Sequence, residues 1–108
     1  MSKDKELREI IKEVKECQRA YLGILKKHKY KVISLYLADK EDLFRKEKVK
    51  IQLDTDYFFE NFKDYIVREV ESELFPFEAS TTKKDIKFLT LLSPEEFEEY
   101  CPEAEVID

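Results

Sequence analysis

The chain has 108 residues, 42% charged and 43% hydrophobic, with 1 Gly, 3 Pro and 2 Cys. That length fits one domain, residues 1–108, able to bury a core without disulfide or metal staples, and the apolar content excludes a disordered chain. No apolar run approaches the roughly 18 residues of a membrane span, and MSKDKELREI lacks the apolar stretch of an export signal; with two cysteines and no secretory context, a cytoplasmic location is expected.

The net charge of −5 hides a strong asymmetry. Residues 1–53 carry 15 basic and 9 acidic side chains, whereas residues 54–108 carry 5 basic and 16 acidic ones. Amides are scarce, with only Asn61, Gln18 and Gln52, a usage resembling that of thermophile proteins.

In chain order, residues 4–28 read as a long helix. Leu7, Ile10, Val14, Cys17, Tyr21, Ile24 and His28 recur at alternating spacings of three and four, and Ile11, Leu22 and Leu25 widen the stripe. Three heptad-like repeats fall short of a firm coiled coil, and the breadth favours packing against a core, with Cys17 buried and inert. Gly23 costs the helix roughly 1 kcal/mol against Ala, so a close approach there is expected. Residues 30–38 form an apolar strand, with Ile33, Leu35 and Leu37 on one face and Tyr30, Val32, Ser34 and Tyr36 on the other. Residues 46–53 alternate Lys46, Lys48, Lys50 and Gln52 against Val49, Ile51 and Leu53, an amphipathic strand suited to a sheet edge.

A second helix is expected from residues 54–56 to about Leu74, stopped by Pro76. Residues 77–84 read as a loop, residues 85–92 as a third strand, and Ser93-Pro94-Glu95-Glu96 as a capping box opening a short helix. Residues 102–108 end the chain as a frayed tail or an edge strand. The fold class is therefore α+β, in the order α-β-β-α-β-α. A three-stranded, mainly antiparallel sheet of order 2-1-3 is packed by two main helices and a short C-terminal one.

The residues argue against most chemistry. One histidine, His28, leaves no Ser-His-Asp or Cys-His grouping to argue. A zinc site needs four N/S ligands, and His28, Cys17 and Cys101 are three. A single glycine excludes glycine-rich phosphate loops, so no cofactor is expected. Asp54 and Asp56 at a helix start, and the Asp85-Ile86-Lys87 triplet, leave a metal-dependent nuclease as a remote alternative.

Two charged groups stand out. Lys29, Lys31, Arg45, Lys46, Lys48 and Lys50, with Tyr30 and Tyr36, would place cations beside aromatics on one sheet edge. That is a surface for single-stranded nucleic acid, although such lysines also guard an edge strand against aggregation. Glu95, Glu96, Glu98, Glu99, Glu103 and Glu105 form an acidic patch suited to a basic groove on another protein. The preferred expectation is a non-enzymatic protein-interaction or regulatory module, such as an accessory protein or a virus-encoded or mobile-element-encoded inhibitor of a host factor. Single-stranded nucleic-acid binding is the alternative. A homodimer, by pairing of the basic and acidic halves or by closure of apolar strand faces, is a further expectation.

Overall fold

Ser93-Pro94-Glu95-Glu96 folds as its pattern dictates. The Ser93 hydroxyl accepts the Glu96 amide at 3.1 Å, and the Glu96 carboxylate accepts the Ser93 amide at 3.0 Å. The two contacts satisfy two amides that the helix would otherwise leave orphaned. The computed structural model in which this is seen describes residues 2–37 and 49–107. Its elements are α1 (Ser2–Lys27), β1 (Val32–Leu37), β2 (Val49–Leu53), α2 (Thr55–Asn61), β3 (Ile66–Glu69), β4 (Phe77–Lys83), β5 (Ile86–Leu92), α3 (Pro94–Tyr100) and β6 (Val106–Ile107). The fold is α+β, with a mixed six-stranded sheet of order β1-β2-β5-β4-β3-β6.

The sheet order corrects the expected 2-1-3 arrangement. β2 lies between β1, its antiparallel neighbour, and β5, its parallel one, so among the described residues the edge strand is β1. An amphipathic strand sits inside the sheet because burial of one face is all its pattern specifies. Ile51 and Leu53 face the core, while Lys50 and Gln52 share the outer face with Lys87 and Leu89. A bulge at Ile33 changes the alternation of β1: Val32 pairs with Leu53 but Ser34 with Gln52. Val32 therefore joins Leu35 on the inner face, contrary to strict period-2 reading, and the bulge twists an exposed edge away from intermolecular pairing.

Two strands replace elements expected to be otherwise. The helix expected to reach Leu74 ends at Asn61, and residues 66–69 form β3. Val67, beside the expected helical stripe, is buried, whereas Ile66 and Leu74, on it, are exposed. The segment expected as a loop, 77–84, is mostly β4, which pairs over its full length with β5. Lys84 and Asp85 turn the chain with φ of 52° and 64°, both left-handed, as a two-residue type I′ hairpin requires. The tail supplies β6, parallel to β3 at the far edge.

α2 and α3 cover the same inner face. Phe58 of α2 is wholly buried, with ring centroids 5.1, 5.2 and 6.0 Å from Phe59, Phe62 and Tyr65. Phe97 of α3 stacks on Phe77 at 4.6 Å. The Asp54 carboxylate caps α2 by accepting the Tyr57 amide. Thr55 and Thr90 share a 2.9 Å hydroxyl contact that fixes the start of α2 on β5. Among the described residues, the buried hydrophobic ones are Leu53, Phe58, Val67, Ala79, Leu92 and Cys101.

None of them lies in α1. That helix touches the sheet through β1 and otherwise projects, so the molecule measures 61 × 30 × 28 Å with a radius of gyration of 17.2 Å. A compact chain of this length has a radius near 13 Å. The expectation that α1 packs its stripe on the core is overturned. Cys17 is exposed rather than buried, and a Cβ added at Gly23 would meet nothing within 4 Å.

Candidate interaction surfaces

The residues that α1 was expected to bury form the first surface. Leu7 is 57% exposed, Ile10 51% and Val14 60%, with Ile11, Leu22 and Ile24 also open. All lie along one side of a regular helix, because spacings of three and four recur on one face. At its C-terminal end the stripe continues into a cleft. Ile24 and His28 form one wall, and Ile51, Phe62 and Phe88 of the inner sheet face and α2 form the other. The cleft holds about 420 Å³, is mostly apolar, and has Lys31 and Asn61 among its polar lining. Stripe and cleft thus make one continuous apolar surface, a feature that monomeric proteins seldom leave open. The sequence carried the stripe but not its exposure, which depends on where α1 points.

The basic candidates are divided. Arg45, Lys46 and Lys48 lie outside the described residues. Lys50 and Tyr36 are register partners, with the ammonium 5.5 Å from the ring centroid. Lys29 lies 5.0 Å over Tyr30, in the turn before β1, while Lys31 sits 5.4 Å over Tyr57, a ring packed against the core. Tyr30 and Tyr36 are separated by most of a strand, about 20 Å at 3.3 Å per residue. Lys87, next to Lys50 across β2 and β5, is tied to Glu78 at 2.9 Å. The structure brings Tyr36 and Lys50 together, and puts Lys29, Tyr30 and Lys31 elsewhere.

Within the acidic patch, Glu95, Glu98 and Glu99 are exposed on α3, and Glu103 and Glu105 are exposed on the tail. Glu96 is half-buried and engaged by its capping box. Lys29 and Lys31 precede β1 at one edge of the sheet, while Glu103 and Glu105 precede β6 at the other. The charge asymmetry of the sequence is therefore an asymmetry in space. On the same side of the fold, Tyr100 donates its hydroxyl to Asp56, and this carboxylate pushes the phenol pKa up to about 12.

The residues considered for catalysis have structural positions. Asp54 is a helix cap, and Asp85 occupies the hairpin turn rather than the strand that holds Lys87. Among the described residues, no three His, Cys, Asp or Glu side chains are grouped to hold a metal ion, and no helix is long and apolar enough to cross a membrane. Burial pushes the Cys101 thiol pKa up, which disfavours the reactive thiolate. In comparison with known proteins, no family model, curated protein or solved structure matches the chain.

Proposed function

We propose that this protein is a non-enzymatic protein-interaction module of accessory or regulatory type, and that its engaging element is α1. The observation that carries this reading is the open stripe of Leu7, Ile10 and Val14 on a helix outside the closed core. An amphipathic helix gains most of its stability from covering its apolar face, not from intrinsic propensity. Docking the stripe in a groove or against another helix supplies that cover. The acidic patch on α3 and the tail is a steering surface in this reading, because exposed charges set encounter rate and orientation more than affinity.

The test compares immobilised wild-type protein with the Ile10→Glu/Val14→Glu variant in extract of the source organism. Proteins retained by the wild type and lost by the variant are the expected result. Identical retention by both refutes α1 as the engaging element. If the acidic patch carries recognition instead, reversing Glu95, Glu98 and Glu99 to Lys removes the partners and the α1 variant keeps them.

A second reading rests on the contact between Tyr36 and Lys50 on the outer sheet face, a cation beside an aromatic ring as in single-strand binders. It predicts salt-sensitive binding of labelled single-stranded DNA or RNA that weakens in Tyr36→Ala and Lys50→Glu. Binding unchanged by both substitutions, or no binding at low salt in the micromolar range, refutes it.

A further inference from the structure

Resting on the proposed role of α1, we infer that the cover for its stripe is the α1 of a second copy, paired antiparallel over the whole helix. The seam positions follow a heptad in which Leu7, Val14, Tyr21 and His28 take position a and Ile10, Cys17 and Ile24 take position d. In an antiparallel pair, each a position faces a d position of the other helix. One register aligns the six seam positions from Leu7 to Ile24: Leu7 faces Ile24, Ile10 faces Tyr21, and Val14 faces Cys17, each occurring twice about a two-fold axis, while His28 lies beyond the overlap. In that register residues 4–27 of one helix overlap residues 27–4 of the other, which uses nearly all of Ser2–Lys27. The large rings of Tyr21 meet the aliphatic Ile10 and do not meet each other.

The flanking charges select the same arrangement. Glu6, Glu13, Ala20 and Lys27 hold the g positions beside the seam, and antiparallel pairing sets g against g. Glu6 then lies opposite Lys27, twice per dimer, and Glu13 opposite Ala20. A parallel pair instead sets g against the e position five residues on, which gives Glu6 with Ile11, Glu13 with Gln18 and Ala20 with Leu25. No ion pair forms there. The helix ends agree: Asp4 and Glu6 of one copy come beside the last turn of the other, which carries Lys26 and Lys27, so opposite charges and antiparallel macrodipoles coincide.

The geometry also extends the stripe's cover toward the cleft. The register puts residues 3–7 of the second helix against residues 24–28 of the first, where Ile24 and His28 form the cleft wall. The two sheets end up at opposite ends of a rod. Residue 27 of one helix and residue 27 of the other are 23 residues apart along it, about 35 Å at 1.5 Å per residue.

Sedimentation equilibrium, with a thiol-reactivity measurement on the same samples, tests this. The expected mass rises with concentration from 13.0 kDa to twice that and stops there. Over the same range, the reaction of Cys17 with a disulfide reagent slows about tenfold or more, because dimerisation seals Cys17 in the seam. Glu6→Lys and Lys27→Glu each weaken the dimer about tenfold by turning two attractions into repulsions, and the double swap restores it.

A chain that stays monomeric to several hundred micromolar, with Cys17 reactive throughout, overturns self-pairing and leaves the wider role of α1 to the extract experiment. If Ile10→Glu/Val14→Glu dimerises as the wild type does, association runs through another surface and self-pairing of α1 fails, while the extract experiment still decides its wider role. A dimer that the double swap does not restore, or a limiting mass of four chains, overturns the antiparallel two-helix arrangement alone.

Discussion

Two alanine substitutions, Phe58→Ala and Val14→Ala, separate the closed core from the projecting helix, and the structure assigns them very different costs. Phe58 has no exposed surface and meets three aromatic rings. Truncation of a ring so placed removes its transfer energy and leaves a cavity, together about 3–5 kcal/mol. For a chain with total stability of about 5–15 kcal/mol, that lowers the melting temperature by roughly 15–25 °C. Val14 is 60% exposed. Its two lost methyl groups are worth about 1.6 kcal/mol when fully buried, hence about 0.6 kcal/mol here, and the higher helix propensity of Ala returns about 0.5 kcal/mol. The net cost in the monomer is close to zero. Urea unfolding followed by circular dichroism at submicromolar concentration measures both values, with the slope m checking that the same surface unfolds. A Val14→Ala cost above about 1.5 kcal/mol, a value expected only of a well-buried side chain, would refute the conclusion that α1 stands outside the core.

Three other substitutions probe single features. Gly23→Ala fills open space on α1 and lies away from the seam, so the helix gains about 1 kcal/mol of propensity, read as slower amide exchange across residues 15–27; unchanged exchange argues against it. Asp85→Gly relieves a left-handed backbone and should stabilise the sheet by about 0.5–1 kcal/mol, whereas destabilisation would show that the Asp85 side chain supports the turn. The raised phenol of Tyr100 favours the neutral, hydrogen-bonded form in the folded state. Its contribution is therefore complete below pH 10 and is lost as pH rises toward 12. The stability difference between wild type and Tyr100→Phe should shrink across that window, and a difference constant with pH would exclude the Asp56 contact as its source.

What could be read from the residues follows the range over which each signal acts. Capping at Ser93, the strand at residues 86–92 and the pairing of residues 32–37 with 49–53 rest on contacts within a few residues or on clear alternation. β3 was hidden because Phe62, Ile66, Val70 and Leu74 recur every four residues and mimic a helical stripe. β4 was hidden because Phe77, Ala79 and Thr81 alternate with the polar residues Glu78, Ser80 and Thr82, a composition shared with loops. Both are settled by long-range pairing: Val67 finds Ala79, and Ala79 finds Thr90. Such pairing overrides local preference. The candidate sites divide in the same way. Tyr36 beside Lys50 follows from strand register. The exposure of the α1 stripe depends on a tertiary fact, the direction in which the helix leaves the sheet.

That direction decides how the amphipathic pattern of α1 should be understood. A stripe of spacing three and four states that one helix face must leave water, but says nothing about what replaces the water. In this fold α2 and α3 occupy the inner face, and among the described residues the enclosed side chains run from Leu53 to Cys101 with none from α1. The core is closed before α1 is counted, and only Tyr21 and Leu25 of its apolar face are half-buried in the monomer, so most of that face contributes little to the stability of the sheet. Its polar flank carries pairs such as Lys5 with Glu9 and Lys12 with Glu16 at helical spacing, each worth only about 0.2–0.5 kcal/mol. They support the helix without removing the gain from covering Leu7, Ile10 and Val14. An apolar face that the closed core leaves this open is a surface shaped for association.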